Sequence, residues 1–201
     1  MEIIDKIKDI LVKPVLFFER IEKESGVKKA FIYFAILALF STIFAYLVNL
    51  VMPTFTIGFI EKMIGVDIPE SALMAPTILS TILFFILSLA MSFVSAGILH
   101  MWIMIFGGKL EYSKSYQLFS YSRTPAFLFG WIPFIGIFAK IYSLVLLVLG
   151  TEKMCGFPRK KAILMYLIPL VILYLLVFVG FFVLIMGLRT IPLDTVVGQL
   201  Q

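Results

Sequence analysis

The chain has 201 residues, of which 62% are hydrophobic and 14% are charged, and its mean hydropathy is +1.09. Ordinary globular domains carry about 25% charged residues, so this composition excludes a large soluble catalytic domain and indicates a single membrane domain. The net charge of +5 does not indicate a nucleic-acid partner, because the basic residues lie at the ends of apolar segments, where they set membrane orientation. Cys155 is the only cysteine, which excludes an intrachain disulfide and a cysteine-rich metal site.

Residues 1–29 predict two short amphipathic helices. In residues 1–13 apolar side chains recur at helical spacing opposite a charged face; they are Ile3, Ile4, Ile7, Ile10 and Leu11. Pro14 is suited to the first position of a second helix, which carries Phe17 and Phe18 on its apolar side. We expect both helices to lie at the membrane surface with their apolar faces toward lipid. The alternative is that these faces pack against the ends of the membrane spans.

Two long uncharged segments follow, at residues 30–52 and 75–106. Since about 20 apolar residues cross the ~30 Å hydrocarbon layer, they predict spans 1 and 2. The second segment has 32 residues, so we expect it to tilt or to project beyond the lipid. Small residues form a packing face on each span, and Asn49 is predicted to form a hydrogen bond between helices. The loop at residues 53–74 predicts a short helix at the opposite interface.

The central region predicts a helical hairpin within the membrane. Residues 107–124 are polar, and the sequence Gly-Trp-Ile-Pro-Phe-Ile-Gly at residues 130–136 predicts a tight bend, because proline and glycine break helices. We therefore place span 3 at residues 115–131 and span 4 at residues 132–149. The alternative is one irregular span over residues 125–149. Span 5 covers the uncharged residues 162–188.

The distribution of lysine and arginine favours five spans. Residues 1–29 contain seven basic residues, the loop at 53–74 contains one, and the hairpin tip contains none. Lysines and arginines near spans concentrate in the cytosol, and with five spans the basic and non-basic segments alternate between the two sides. The sequence thus predicts a cytosolic N-terminus and a C-terminus outside. We divide the chain into a cytosolic amphipathic segment (1–29), a five-span membrane domain (30–190) and a short tail (191–201).

The sequence contains no arrangement of residues typical of an enzyme. The motifs HExxH, GxSxG and the Walker loop are absent, and we predict no catalytic, cofactor-binding or metal-binding residue. Lys140 lies inside span 4, where a charge has a functional use or reaches the interface with its long side chain. We expect Arg123 to pair with Glu111 or Glu152, or to contact a lipid headgroup. His100 is interpreted as an interfacial hydrogen-bonding residue, with a proton relay as the alternative.

The central part of the chain resembles the Yip1 domain. The residues that carry the resemblance are Gly107, Gly108, Tyr121, Ser122, Pro125, Ile135, Gly136, Tyr142, Ser143, Leu144, Leu149, Gly150, Lys161 and Ala162, with Pro14, Phe17 and Phe18 near the start. The resemblance implies five spans and a cytosolic N-terminus. Eukaryotic members are linked to Rab GTPases and to vesicle traffic between endoplasmic reticulum and Golgi. This chain has a much shorter N-terminal region and lacks their Asp-Leu-Tyr-Gly-Pro segment, so it resembles a compact prokaryotic member, whose role the resemblance does not define.

These observations predict an all-α integral membrane protein that is not an enzyme and that organises membrane partners or lipids. The expected partners are the lipid bilayer and a membrane protein or small GTPase at the cytosolic face, and self-association is allowed. The alternative is a small transporter or lipid-translocating protein with a polar path near Lys140, Arg123 and Asn49. The candidate functional residues are Tyr121, Arg123, Pro125, Lys140, Arg159, Lys160 and Lys161.

Overall fold

The computed structural model describes residues 2–21, 24–51 and 77–189. Every regular element in these ranges is an α-helix, as the sequence predicts. The helices are α1 (Ile3–Val12), α2 (Pro14–Ile21), α3 (Lys28–Val51), α4 (Ile78–Ile105), α5 (Tyr112–Ser122), α6 (Thr124–Phe129), α7 (Ile135–Cys155) and α8 (Arg159–Arg189). The predicted interfacial helix within residues 53–74 and the tail at 191–201 lie outside the described residues.

The chain forms two compact units, Met1–Arg159 and Lys160–Gln201. The first unit contains α1 to α7. The second unit contains α8 apart from its first residue, and this helix continues through Pro169. From residue 170 to residue 183 the described side chains of α8 are exposed and almost all apolar, as expected of a helix surrounded by lipid.

Four helices in the described part of the chain are long and apolar enough to cross a membrane. They are Lys28–Leu50, Ile78–Ile105, Ile135–Cys155 and Arg159–Val183. The protein is therefore an integral membrane protein, as predicted, but the predicted span 3 at residues 115–131 is not among them. That segment is divided at Arg123 into α5 and α6, and α5 is too short and too polar to cross lipid alone. A total of five spans remains a prediction.

The two faces of α3 show how this helix is placed. Its exposed large apolar residues recur every three or four positions, in register with the helical repeat: Ile32, Ile36, Leu39, Ile43, Leu47 and Leu50. The opposite face is buried in the protein over its first three turns, at Ala30, Tyr33, Phe34, Leu37 and Ala38. One face of α3 thus meets lipid, and the other packs on α4, α5 and α6.

Helices α6 and α7 pack against each other across the predicted bend. That residues 115–131 and 132–149 both cross the membrane as a hairpin stays a prediction. The turn between them contains Gly130, and Gly136 follows in the first turn of α7, so close that a Cβ atom on Gly136 would lie 2.6 Å from the Gly130 carbonyl oxygen. The adjacent Trp131 stacks on Phe44 of α3 with the ring centroids 4.8 Å apart. Since Phe44 lies 16 residues after Lys28, the hairpin tip lies about 24 Å along α3 from its beginning. The bend is therefore where the sequence predicts it.

The N-terminal helices pack into the first unit. Ile10, Phe17 and Phe18 are fully buried, and α2 packs along α7. The expectation that both apolar faces point into lipid is wrong for these residues, because the ends of the helical bundle offer them protein contacts instead. Ile4, Val12 and Leu16 remain exposed.

We call one end of the first unit the basic end. It comprises the described residues 2–29, residues 107–117 and residues 150–158. Lysines and arginines number seven in residues 1–29, two in residues 107–117 and one in residues 150–158. These segments meet in space, because Lys114 of α5 donates to the Ile21 carbonyl at 3.1 Å and Lys153 of α7 lies 3.0 Å from the Glu19 carboxylate.

Candidate functional site

Helix α5 is a polar helix buried inside the bundle. Its sequence is YSKSYQLFSYS, and every residue from Ser115 to Ser122 is buried. Helices α3, α4 and α7 surround it. Because a buried polar group without a hydrogen bond is costly, the partners of these side chains show how α5 holds the basic end together.

Three residues from separate parts of the chain form a cluster that we call the Lys6 clamp. The Lys6 Nζ atom of α1 lies 3.1 Å and 3.2 Å from the two carboxylate oxygens of Glu24, between α2 and α3. It also donates to the Tyr121 hydroxyl of α5 at 2.9 Å, and this hydroxyl donates to Glu24 Oε2 at 3.3 Å. Lys6 and Glu24 are only 11% and 15% exposed, so water screens their attraction weakly.

Two further side chains of α5 bind the backbone of the α2–α3 connection. The Lys114 ammonium donates to the carbonyl oxygens of Ile21 and Glu24. The Gln117 amide donates to the carbonyl oxygens of Glu24 at 3.0 Å and Gly26 at 2.8 Å. Carbonyl groups at the end of a helix have no partner within that helix, so α5 supplies the donors that the end of α2 and the following connection need.

Hydrogen bonds also join α5 to α4. The hydroxyls of Ser92 and Tyr116 lie 2.9 Å apart, and His100 Nδ1 lies 3.0 Å from the Ser115 hydroxyl. The interpretation of His100 as a hydrogen-bonding residue is therefore confirmed. Both contacts hold the polar face of α5 against the small-residue face of α4.

Tyr112 begins α5 and contributes one more link to α4. Its hydroxyl donates to the Phe93 carbonyl oxygen at 2.9 Å. Burial raises the pKa of the Tyr112 phenol above its usual range, so the group is a protonated donor at neutral pH.

The N-terminal helices reach α7 at two places. Phe18 packs on Gly150, where a Cβ atom would lie 2.8 Å from the Phe18 ring and 2.3 Å from a methyl group of Leu118. The Tyr142 hydroxyl donates to the Leu11 carbonyl oxygen at 2.9 Å. Gly150 and Tyr142 belong to the Yip1-like residues, and both serve the docking of α1 and α2.

Tyr121 and Pro125 lie at the centre of this arrangement. The Tyr121 ring contacts Phe17 and Tyr33, with ring centroids 5.2 Å and 5.0 Å away. Pro125 is buried in the first turn of α6, and the next backbone N–H, of Ala126, donates to the Ser143 hydroxyl of α7 at 3.1 Å. That N–H belongs to the first turn of a helix and has no carbonyl partner there. Tyr121 thus joins α1, α2 and α3 to α5, and Pro125 is buried next to the contact between Ala126 and Ser143.

Arg123 does not pair with either predicted glutamate. Glu152 forms its ion pair with Arg159 at 3.0 Å, and the ion pairs of the described residues do not include Arg123. The guanidinium instead lies over the Phe119 ring, 4.5 Å from its centroid. Arg123 is exposed at the break between α5 and α6.

The other basic candidates are not members of the Lys6 clamp. Lys140 is exposed on α7, five residues after the helix begins. Arg159 ends the first unit and pairs with Glu152. Lys160 and Lys161 begin the second unit in the first turn of α8.

A groove separates α3 from α4 at the end away from the basic end. Its polar part is a cavity of about 340 Å³ whose lining includes Ser41, Asn49 and Ser88. An apolar part of about 180 Å³ adjoins it and shares Thr42 and Tyr46. Asn49 donates to the Ala45 carbonyl of its own helix at 2.7 Å, so the predicted hydrogen bond between helices is wrong. Neither lining contains Arg123 or Lys140, so this groove does not connect Asn49 with them.

At the basic end, hydrogen bonds and ion pairs join separate helices of the chain. In the described ranges no group of three or more His, Cys, Asp or Glu residues is close enough to hold a metal ion. The buried ammonium, carboxylate and phenol groups bind one another and the backbone. Sequence reasoning missed four of these residues, Lys6, Glu24, Lys114 and Gln117. The sequence feature that could have indicated them is the polarity of residues 112–122, which lie between apolar segments.

Comparison with known families agrees with this architecture. The model of the Yip1 domain matches residues 8–181, which is most of the chain. The chain belongs to the Yip1 domain family. No curated protein and no solved structure matches it. The match begins within α1 and ends within α8, so α2 and the second half of α1 lie in the matched region, whereas Lys6 precedes it.

Proposed function

We propose that this Yip1 protein is a non-catalytic membrane protein that organises a partner protein at its basic end, and that the basic end faces the cytosol. The observation that carries the proposal is the Lys6 clamp together with the buried helix α5. Four parts of the chain, α1, the α2–α3 connection, α5 and α7, are fixed to one another there. A surface whose parts are fixed before binding loses little conformational entropy when a partner binds.

The exposed charges of the basic end supply the surface that a partner would contact. Lys8, Lys13 and Lys109 are exposed, and none of them belongs to the Lys6 clamp. Rim charges of this kind act mainly on the rate and specificity of association. A membrane protein or a small GTPase is the class of partner that the Yip1 resemblance suggests.

The test is purification from native membranes after cross-linking, followed by identification of the bound proteins. We expect one recurrent partner with the unchanged protein and its loss with Lys13→Glu/Lys109→Glu. Lys140→Leu is the matched control, because it removes an exposed charge away from the basic end, and it should retain the partner.

The alternative function, a transporter with a polar path, predicts the opposite pattern. Lys140→Leu would then abolish activity, whereas the two reversed charges at the basic end would leave it intact. Retention of the partner by Lys13→Glu/Lys109→Glu would contradict our proposal.

A further inference from the structure

Arg123 has a guanidinium group whose charge is not neutralised by the described part of the protein. Arginine offers five N–H donors and stays charged at any physiological pH. The carboxylates of Asp9, Glu19, Glu24 and Glu152 pair with other bases. Glu111 accepts from the Ser113 hydroxyl at 3.2 Å. The recorded contact of Arg123 is the face of the Phe119 ring.

The position of Arg123 along the bundle follows from its neighbours. Phe119 and Phe127 lie four residues to either side, on the same face of the α5–α6 segment. Both rings contact Phe34 of α3, with centroids 5.9 Å and 5.0 Å away. Because Phe34 lies six residues after Lys28, Arg123 lies about 9 Å along α3 from its charged end. At the same level α3 exposes Ile36 on its opposite face, so the bundle is surrounded by lipid at this depth.

An exposed arginine at this depth needs an anionic oxygen acceptor. Charged groups within the apolar layer are costly unless they are paired or reach the interface. A bilayer measures about 40–45 Å with its headgroups and ~30 Å without them, so each headgroup layer is about 5–8 Å thick. A side chain about 9 Å from the charged end of α3 therefore lies within a few ångströms of that layer. Arginine binds phosphate through two parallel N–H···O bonds, and the contact with Phe119 orients the planar group for this geometry.

We propose that Arg123 binds the phosphate of a phospholipid in the leaflet at the basic end. The site is distinct from the surface assigned to a partner protein, and it does not depend on that assignment. The lipid is the occupant because it surrounds the bundle at the depth of Arg123, whereas a soluble anion would have to leave water to reach it.

The test uses purified, delipidated protein in an uncharged detergent. Phosphatidic acid and diacylglycerol with the same acyl chains are added separately, and thermal stabilisation is measured as a function of lipid concentration. We expect phosphatidic acid to stabilise the protein and diacylglycerol to have little effect. Arg123→Gln should weaken binding of phosphatidic acid about tenfold or more. Arg123→Lys, which keeps the charge but loses the paired donors, should lie between them.

Lys109→Gln is the matched control, because it removes one exposed positive charge at the basic end, and it should bind phosphatidic acid like the unchanged protein. Equal affinity of Arg123→Gln and the unchanged protein would overturn the proposal, as would equal stabilisation by diacylglycerol. If inorganic phosphate stabilised the protein as well as phosphatidic acid does, the site would bind a soluble anion and the lipid proposal would be wrong. No partner protein is present in this assay, so its outcome is separate from that of the proposed function.

Discussion

Replacing Glu24 by glutamine tests whether the Lys6 clamp fixes the N-terminal helices to the membrane bundle. The change keeps the size of the side chain and removes its charge. It leaves the Lys6 ammonium with the Tyr121 hydroxyl at 2.9 Å and without a carboxylate. Because the Lys6 side chain is only 11% exposed, water replaces the lost partner poorly.

The expected loss of stability follows from this burial. Removing one partner of a fully buried ion pair costs about 3–5 kcal/mol. Glutamine retains a carbonyl acceptor and the pair is slightly exposed, so we expect about 2–3 kcal/mol for Glu24→Gln. For a chain of this size that corresponds to a fall in Tm of about 4–12 °C. Lys6→Met should cost less, about 1–2 kcal/mol, because Glu24 then keeps the Tyr121 hydroxyl and Lys29.

The assay heats the protein in detergent and measures the fraction that remains monodisperse at each temperature, which gives the Tm. Glu19→Gln is the control, because it removes a carboxylate from the more exposed pair with Lys153, where a surface ion pair contributes at most about 1 kcal/mol. The double variant Lys6→Met/Glu24→Gln should be less destabilised than the two single losses combined. A Tm for Glu24→Gln no lower than that of Glu19→Gln, or strict additivity in the double variant, would refute the reasoning.

Three further predictions concern packing, topology and the intramembrane lysine. Gly150→Ala should destabilise the protein by about 1–3 kcal/mol, because the new Cβ would lie 2.3 Å from Leu118 of α5 and 2.8 Å from the Phe18 ring of α2. Thermal unfolding measures this, and an unchanged Tm would contradict the close packing of α2 and α5 on α7. In a Cys155→Ser background, Lys13→Cys and Pro158→Cys should react with a membrane-impermeant maleimide from the same side. Labelling from opposite sides would favour the single irregular span over the hairpin. Lys140→Leu should leave the Tm unchanged or raise it, because it removes an exposed charge from an apolar surface; a lower Tm would mean that the ammonium has a stabilising partner.

The long apolar helices could be predicted from the sequence because their signal is contained in their own residues. Hydrocarbon requires about 20 apolar residues in a row, and residues 30–52, 75–106 and 162–188 meet this requirement without any neighbour. The bend at residues 130–136 was equally local, since proline and glycine act on the backbone where they stand. Helix α5 was different, because its polar side chains are stable only among the helices that surround it.

The residues of the Lys6 clamp could not be predicted in the same way. Lys6 and Tyr121 are 115 positions apart, and the charged face of α1 gives no sign that one of its lysines is buried. Tyr121 and Pro125 were identified by resemblance, and the contacts of Tyr121 with α1, α2 and α3 became visible only in the structure. The sequence predicted Glu111 or Glu152 as the partner of Arg123. In the structure the Arg123 guanidinium lies over the Phe119 ring, and Glu152 pairs with Arg159.

The burial of α5 determines which experiments can test partner binding at the basic end. Residues 1–24 contribute Ile10, Phe17 and Phe18 to the core, and Lys6 and Glu24 to the polar contacts of α5. A chain without residues 1–24 would expose a polar helix to lipid or to water that it does not meet in the intact protein, and a buried polar group that loses its partner costs about 1–3 kcal/mol. If the truncated chain failed to bind a partner, the cause would therefore be a disrupted helical bundle and not the loss of a contact with that partner. Substitutions at exposed lysines such as Lys13 and Lys109, which leave the clamp intact, separate recognition from folding.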